Sequence, residues 1–235
     1  MTRARVGALV ALLAAGAAII LVLLRPAGSS APRSERPPLL LLTSLPIVFS
    51  EDFSLKGGGS PALTALETRY RVLPISTAAP AELSDGRLLL MAHAAAQTPE
   101  DLVALDEWVR AGGKILLLAD PLLEWPSSRP LGDPLRPSPM FPDTGLLAHW
   151  GLRLDAPDQR GPQVRKIEGV DVLTDSPGTL AGRCQTDGFV ADCRIGKGRA
   201  IIVADADFLD VERLGDPAKA NLDALLKELA NLEGR

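Results

Sequence analysis

Histidine, cysteine and tyrosine are scarce in this 235-residue chain, at two, two and one. Two cysteines and two distant histidines lack the ligand spacing of a zinc site, so no metal centre is expected. No G-x-S-x-G or G-x-C-x-G elbow occurs, which removes the usual nucleophile of hydrolases and amidotransferases. Neither a P-loop nor a G-x-G-x-x-G fingerprint is present, and no cofactor is expected. A basic excess is missing too. Net charge is −4 with both signs interspersed, unlike a nucleic-acid-binding surface. No internal repeat is evident. Twenty prolines and twenty-one glycines point instead to many loops between short elements.

What the chain does have is an uncharged opening. Val6–Leu24 reads "VGALVALLAAGAAIILVLL"; as a helix it reaches roughly 28 Å, close to the ~30 Å hydrocarbon thickness of a bilayer. That is longer than the h-region of most cleaved signals, although "AGS" (Ala27–Ser29) offers a cleavage site and leaves a signal peptide as the alternative. Arg3 and Arg5 before the run are nearly balanced by Arg25, Arg33 and Arg36 after it, so flanking charge leaves the orientation open. "RPAGSSAPRSERPP" (Arg25–Pro38) has linker composition. The expected organisation is an anchor over residues 1–24, with 6–24 in the lipid bilayer, a linker over 25–38, and a folded domain over 39–235.

Cys184 and Cys193 flank "QTDGFVAD", a stretch with hairpin character. A turn at Asp187-Gly188 would offset the sulfurs. A Gly-first turn at Gly188-Phe189 would set the cysteines opposite each other in a non-hydrogen-bonded pair, where a disulfide fits. Two unpaired core cysteines are the alternative. A disulfide implies an oxidising compartment and places the domain outside the cytoplasm.

From Leu39 the pattern alternates. "LLLLTSLPIVF" reads as a buried strand. Ser60-Pro61 opens a helix to Thr68, "YRVLPIST" and "GRLLLMAHA" read as strands, and Thr98 caps the helix "PEDLVALDEWVR", which Gly112-Gly113 ends. "KILLLADP" is apolar throughout, as a central parallel strand should be. "LLEWPSSRPLGDPLRPSPMFPD" is an irregular proline-rich loop of the kind that covers functional sites. "TGLLAHWGLRL" resumes a helix. Short β-strands follow, then a buried strand Ala200–Ala204, and a last helix with Leu222, Leu225, Leu226 and Leu229 inward. Strand–helix alternation predicts a three-layer α/β domain with a mostly parallel sheet and an antiparallel extension.

Ligands gather at the carboxyl ends of such strands. The residues there are His93, Asp120, Asp205 and Asp207, the candidate ligand-binding set. Asp120 before Pro121 also suits a turn former, and His93 is followed by alanines, with no nucleophile nearby. Gly57, Gly58, Gly59 and Ser60 form a second candidate, a loop that could hold an anion at a helix N-terminus.

The stretches "TPEDLVALDEWVRAGGKILLLADP" and "GKGRAIIVADADFL" resemble a family of membrane-anchored bacterial proteins, the ABC-transport-associated group that includes the gliding-motility auxiliary subunit. The resemblance rests on Leu105, Trp108, Val109, Arg110, Gly112, Gly113, Ala119, Asp120 and Pro121, then on Gly196, Gly198, Arg199 and Asp205. It implies a flavodoxin- or amidotransferase-like fold, an inner-membrane protein facing the periplasm, and ABC transporter or cell-envelope subunits as partners. With no nucleophile after the third strand, the expected function is a non-catalytic scaffold. A small-ligand sensor or hydrolase using the strand-end carboxylates is the alternative.

Overall fold

β1 (Pro38–Thr43) runs through four buried leucines because both its edges and both its faces are covered. It pairs in parallel with β2 (Arg71–Pro74) on one side and β3 (Leu88–Ala92) on the other. The computed structural model describes residues 32, 35–49, 51 and 59–234. The apolar run Val6–Leu24 lies outside the described residues, as do Gly57 and Gly58. Among the described residues no helix is long and apolar enough to cross a membrane. The expected single-pass inner-membrane placement is therefore withdrawn. The folded body is the unit Arg33–Arg235.

Helix α1 (Pro61–Arg69) starts where Ser60 Oγ accepts the Leu63 N–H at 3.1 Å and Pro61 takes the first turn, a position that needs no donor. After α2 (Pro80–Leu83) comes α3 (Pro99–Arg110), capped by Thr98 through the Asp101 N–H at 3.1 Å. Gly112 takes φ +116° and ends it. Gly113 lies under the Trp108 ring, where a Cβ would come within 2.3 Å. β4 (Lys114–Leu118) follows in parallel with β3.

The helix expected in "TGLLAHWGLRL", with Gly151 near its end, is a single turn, α4 (Leu146–His149); Gly151 at φ +80° follows it, and β5 (Leu152–Asp155) pairs with β8 (Thr179–Gly182). Between them β6 (Pro162–Ile167) and β7 (Val170–Asp175) form a hairpin. β9 (Gln185–Thr186) and β10 (Val190–Ile195) lead to β11 (Gly198–Val203), which pairs antiparallel with β10 and parallel with β4. A short α5 (Val211–Leu214) precedes α6 (Lys219–Gly234). Leu225 and Leu229 are buried with Asn221, Ala224 and Leu232, while Leu222 and Leu226 are partly buried at the margin.

The main sheet has the order β2-β1-β3-β4-β11-β10-β9: mixed α/β, parallel through its centre, with an antiparallel edge. β1 to β2 steps one way and β3 to β4 the other, so right-handed crossovers put α1 and α3 on opposite faces. α6 packs on α1, β4 and β7, which completes the layer on α1's face. The sheet is open, with edges at β2 and β9, and the order reverses between β1 and β3.

Candidate functional site

The carboxyl ends of β4 and β11 bring together Asp120, Asp205 and Asp207, all fully buried. Asp120 makes two structural contacts. Its Oδ1 accepts the Leu122 N–H at 2.8 Å, a turn over Pro121, and its Oδ2 accepts the Ala206 N–H at 2.9 Å, joining the two strand ends. Asp205 Oδ1 accepts from the Thr174 hydroxyl and from the Phe208 N–H at 3.0 Å, while its Oδ2 is buried without a partner. Asp207 Oδ2 accepts the Glu124 N–H at 2.7 Å. Its Oδ1 lies 3.3 Å from the Arg213 guanidinium, which also binds Asp175 at 2.9 Å and Asp210 at 3.0 Å.

Burial of like charges sets the protonation here. Loss of water pushes the Asp120 carboxyl up to about 6 against the N–H groups that hold its anion. Burial and then the Asp120 charge lift Asp207 to about 8, with Arg213 opposing. Asp205 is raised well above the carboxylate range for the same two reasons. Among the described residues no group of three or more acids, histidines or cysteines is arranged to hold a metal.

His93 directly follows β3, and its ring is hydrogen-bonded to none of these acids. Its backbone is left-handed at φ +43°, an uncommon conformation outside glycine and small polar residues. Its Nε2 meets the Ser138 carbonyl at 2.8 Å, Nδ1 is buried without a partner, and burial drives its pKa down to about 4. The ring is therefore neutral and donates from Nε2.

The proline-rich loop, residues 119–145, roofs these strand ends. Phe141 N–H donates to the Asp120 carbonyl at 2.7 Å, and Leu123 N–H to the Pro139 carbonyl at 3.0 Å. Beyond the roof, on the β1–β2 side, a cleft of about 430 Å³ stays open. Thr43, Ser44, Glu51, Ser76 and Arg129 give it polar lining, with Leu135 among its apolar walls. Thr43 Oγ1 donates to the Ala92 carbonyl at 2.7 Å and Ser44 Oγ to the His93 carbonyl at 2.5 Å, tying the cleft floor to β3. Glu51 Oε2 accepts from the Ser128 N–H and hydroxyl, both at 2.9 Å, and Oε1 has no partner.

In the glycine loop, the Ser60 hydroxyl is already used as the cap of α1. Cys184 and Cys193 form a disulfide with Cα atoms 4.9 Å apart. The β9–β10 register closes on Gly188-Phe189, with Gly188 at φ +94°. Thr174, Glu124, Asp175 and Arg213 belong to the acid cluster without having been singled out in the sequence. Asn221 sets the first of them. Its side chain takes both backbone groups of Leu173, at 2.9 and 2.7 Å, and the Phe208 carbonyl at 2.7 Å, fixing β7 beside Asp205.

No protein-family model and no curated protein matches the sequence. Solved structures do. An exo-β-1,4-mannosidase from Opitutaceae bacterium strain TAV5 superposes with TM-score 0.50 at 13% identity, over 83% of this chain and 36% of that one. A β-galactosidase from Bacillus circulans sp. alkalophilus gives TM-score 0.43 at 12% identity, over 85% and 31%. A catalytic mutant of a GH42 β-galactosidase from G. stearothermophilus gives 0.42 at 16%, over 76% and 30%. The chain thus spans about a third of the length of these proteins, and the mannosidase likeness is one of fold.

The mannosidase likeness corrects the sequence reading. The fold matches that of an exo-β-1,4-mannosidase, not the transport-associated or amidotransferase-like group, and no family model supports the latter. The non-catalytic scaffold reading rested on that resemblance and falls with it.

Proposed function

We propose that this chain is a hydrolase-class α/β domain that takes a small polar ligand, saccharide in class, at the carboxyl ends of its strands. One observation carries the reading: Asp120 and Asp207 come together at the carboxyl ends of the adjacent strands β4 and β11 with proton affinities pushed apart, to about 6 and about 8. At neutral pH Asp207 keeps its proton and Asp120 releases it, the acid and base states that glycoside hydrolysis asks of two carboxyl groups. Open α/β sheets take ligands at this carboxyl edge, and the strand order reverses between β1 and β3, beside the cleft. The mannosidase's name supports a β-linked sugar as ligand class, and Glu51, Ser44, Ser76 and Arg129 offer the hydrogen bonds such a ligand needs. The cleft is the entry. For a sugar to reach the acids, the Ser138–Phe141 part of the roof must lift from His93 and Asp120.

The test uses aryl β-mannosides and β-galactosides from about pH 4 to 9. The expected profile is bell-shaped, with limbs near 6 and 8, and Asp207→Asn or Asp120→Asn lowers turnover about 100-fold or more. Absence of both aryl release and saturable binding of a β-1,4-linked manno-oligosaccharide would overturn the reading. A ligand sensor is the second reading, favoured by one observation: the cleft is open while the acids are enclosed. It predicts saturable binding without turnover.

A further inference from the structure

At the opposite edge of the sheet, the register places cations side by side. Arg194 of β10 lies opposite Arg199 of β11, and Arg199 lies beside Lys114 of β4. Registered partners project to one face, and like charges directly opposite each other are unfavourable unless something of opposite sign intervenes. Two of the three are answered. Arg199 makes a two-pronged contact with Asp192, and Lys114 donates to the Glu233 carbonyl at 2.6 Å. Arg194 is exposed and makes no side-chain hydrogen bond or ion pair among the described residues, and the same holds for Arg183.

Arg183 and Arg194 line one cleft of about 400 Å³ together with Trp150, Gln185, Asp192 and Arg199. The two arginines are not loosely placed. Arg183 follows β8, its N–H donates to the Gly151 carbonyl at 2.9 Å, and its stem lies across Gly151, whose added Cβ would meet the Arg183 Cδ at 3.4 Å. The next residue, Cys184, is bonded to Cys193, the neighbour of Arg194. The disulfide thus holds the two arginine backbones at neighbouring strand positions. Guanidinium groups present paired N–H donors that match the oxygens of a phosphate or sulfate.

We infer that this cleft is a binding site for a tetrahedral oxyanion, phosphate or sulfate, either free or carried on a sugar, held between Arg183 and Arg194. It is separate from the carboxyl-end crevice, and its test does not depend on that reading.

The experiment titrates the intact protein with sodium sulfate and sodium phosphate at constant ionic strength, with chloride as the balancing salt. Melting temperature and calorimetry are the readouts. The expected result is a saturable rise in melting temperature with either oxyanion and none with chloride. Arg183→Gln and Arg194→Gln should each weaken binding about 10-fold or more, the worth of one charge-assisted contact, and the double variant should lose it. Both side chains are exposed, so the double variant keeps the wild-type melting temperature without sulfate, which separates lost binding from lost folding. A galactose 6-sulfate arm distinguishes the sources: tighter binding than sulfate assigns a substituted sugar, equal binding a free ion. No saturable response, or an equal response in the double variant, would overturn the site.

Discussion

The two edges of the central sheet carry opposite charge and treat it differently. At the carboxyl edge Asp120, Asp205 and Asp207 are closed off from water beneath the proline-rich loop, with Arg213 pairing Asp207. At the amino edge Lys114, Arg199 and Arg194 stand in register, with Arg194 open to solvent. Buried like charges cannot all stay ionised, so protons are retained among the acids. Exposed charges are screened by water and salt, and Arg194 remains available to a counter-ion. Burial, more than the count of charges, decides which edge stores protons and which attracts a counter-ion.

Both edges hang on the strands between them, so the largest effect should come from breaking that span. Leu117 is fully buried in β4, flanked by Met91 of β3 and Ile202 of β11. Leu117→Ala should cost roughly 2–5 kcal/mol, read as a shift in urea midpoint, and should weaken both edges together. Val164→Ala, on the exposed face of β6, is the control and should cost well under 1 kcal/mol. Similar shifts for the two would mean that the sheet centre is not what supports the edges.

The next effect is confined to the antiparallel half. Replacing Cys184 and Cys193 by serine opens a loop of sequence separation 9 and should cost about 2.5 kcal/mol by the chain-entropy relation. Chemical denaturation with and without reductant measures it. A wild-type protein indifferent to reductant would sink this expectation.

Much of the parallel half was legible in the sequence because its strands are covered on both faces. Leu39–Leu42, Leu88–Ala92 and Ile115–Leu118 read as unbroken apolar runs, and the helix caps Ser60 and Thr98 were visible beside prolines. The strand-end acids followed from the same pattern. The helix after Gly145 is present, but the strand beyond Gly151 was not legible, because only the φ of Gly151 and pairing with distant β8 make Leu152–Asp155 a strand. Thr174, Glu124 and Arg213 reach the acids through the β6–β7 hairpin, the loop and α5; Asp210 three residues before Arg213 was the one local hint. The family resemblance misled for a physical reason. Gly112 ends a helix at positive φ, Gly113 fits under Trp108, and a Cβ on Gly198 would come within 2.0 Å of the Val109 carbonyl oxygen. These are packing needs that any sheet of this kind can share, so they mark a geometry and not a lineage.

The smallest effect discriminates most sharply between the edges, because it should appear at one pH and vanish at another. The folded acids bind protons that the unfolded chain, with carboxyl groups near 3.9, releases. Their contribution is therefore intact below about pH 4 and is lost as pH rises through the raised values, near 6 for Asp120 and near 8 for Asp207. Asp205→Asn removes one titrating group from this set while leaving an oxygen for the Thr174 hydroxyl and the Phe208 N–H. Relative to wild type, the variant should gain stability as pH rises from about 4 to 8, measured as the difference in urea unfolding free energy at the two values. Arg194→Gln, at the exposed edge, should show no such pH-dependent gap over the same range. If the Asp205→Asn difference is the same at both pH values, the proton is not held where the burial of Asp205 places it, and the contrast between the two edges fails at its acidic end.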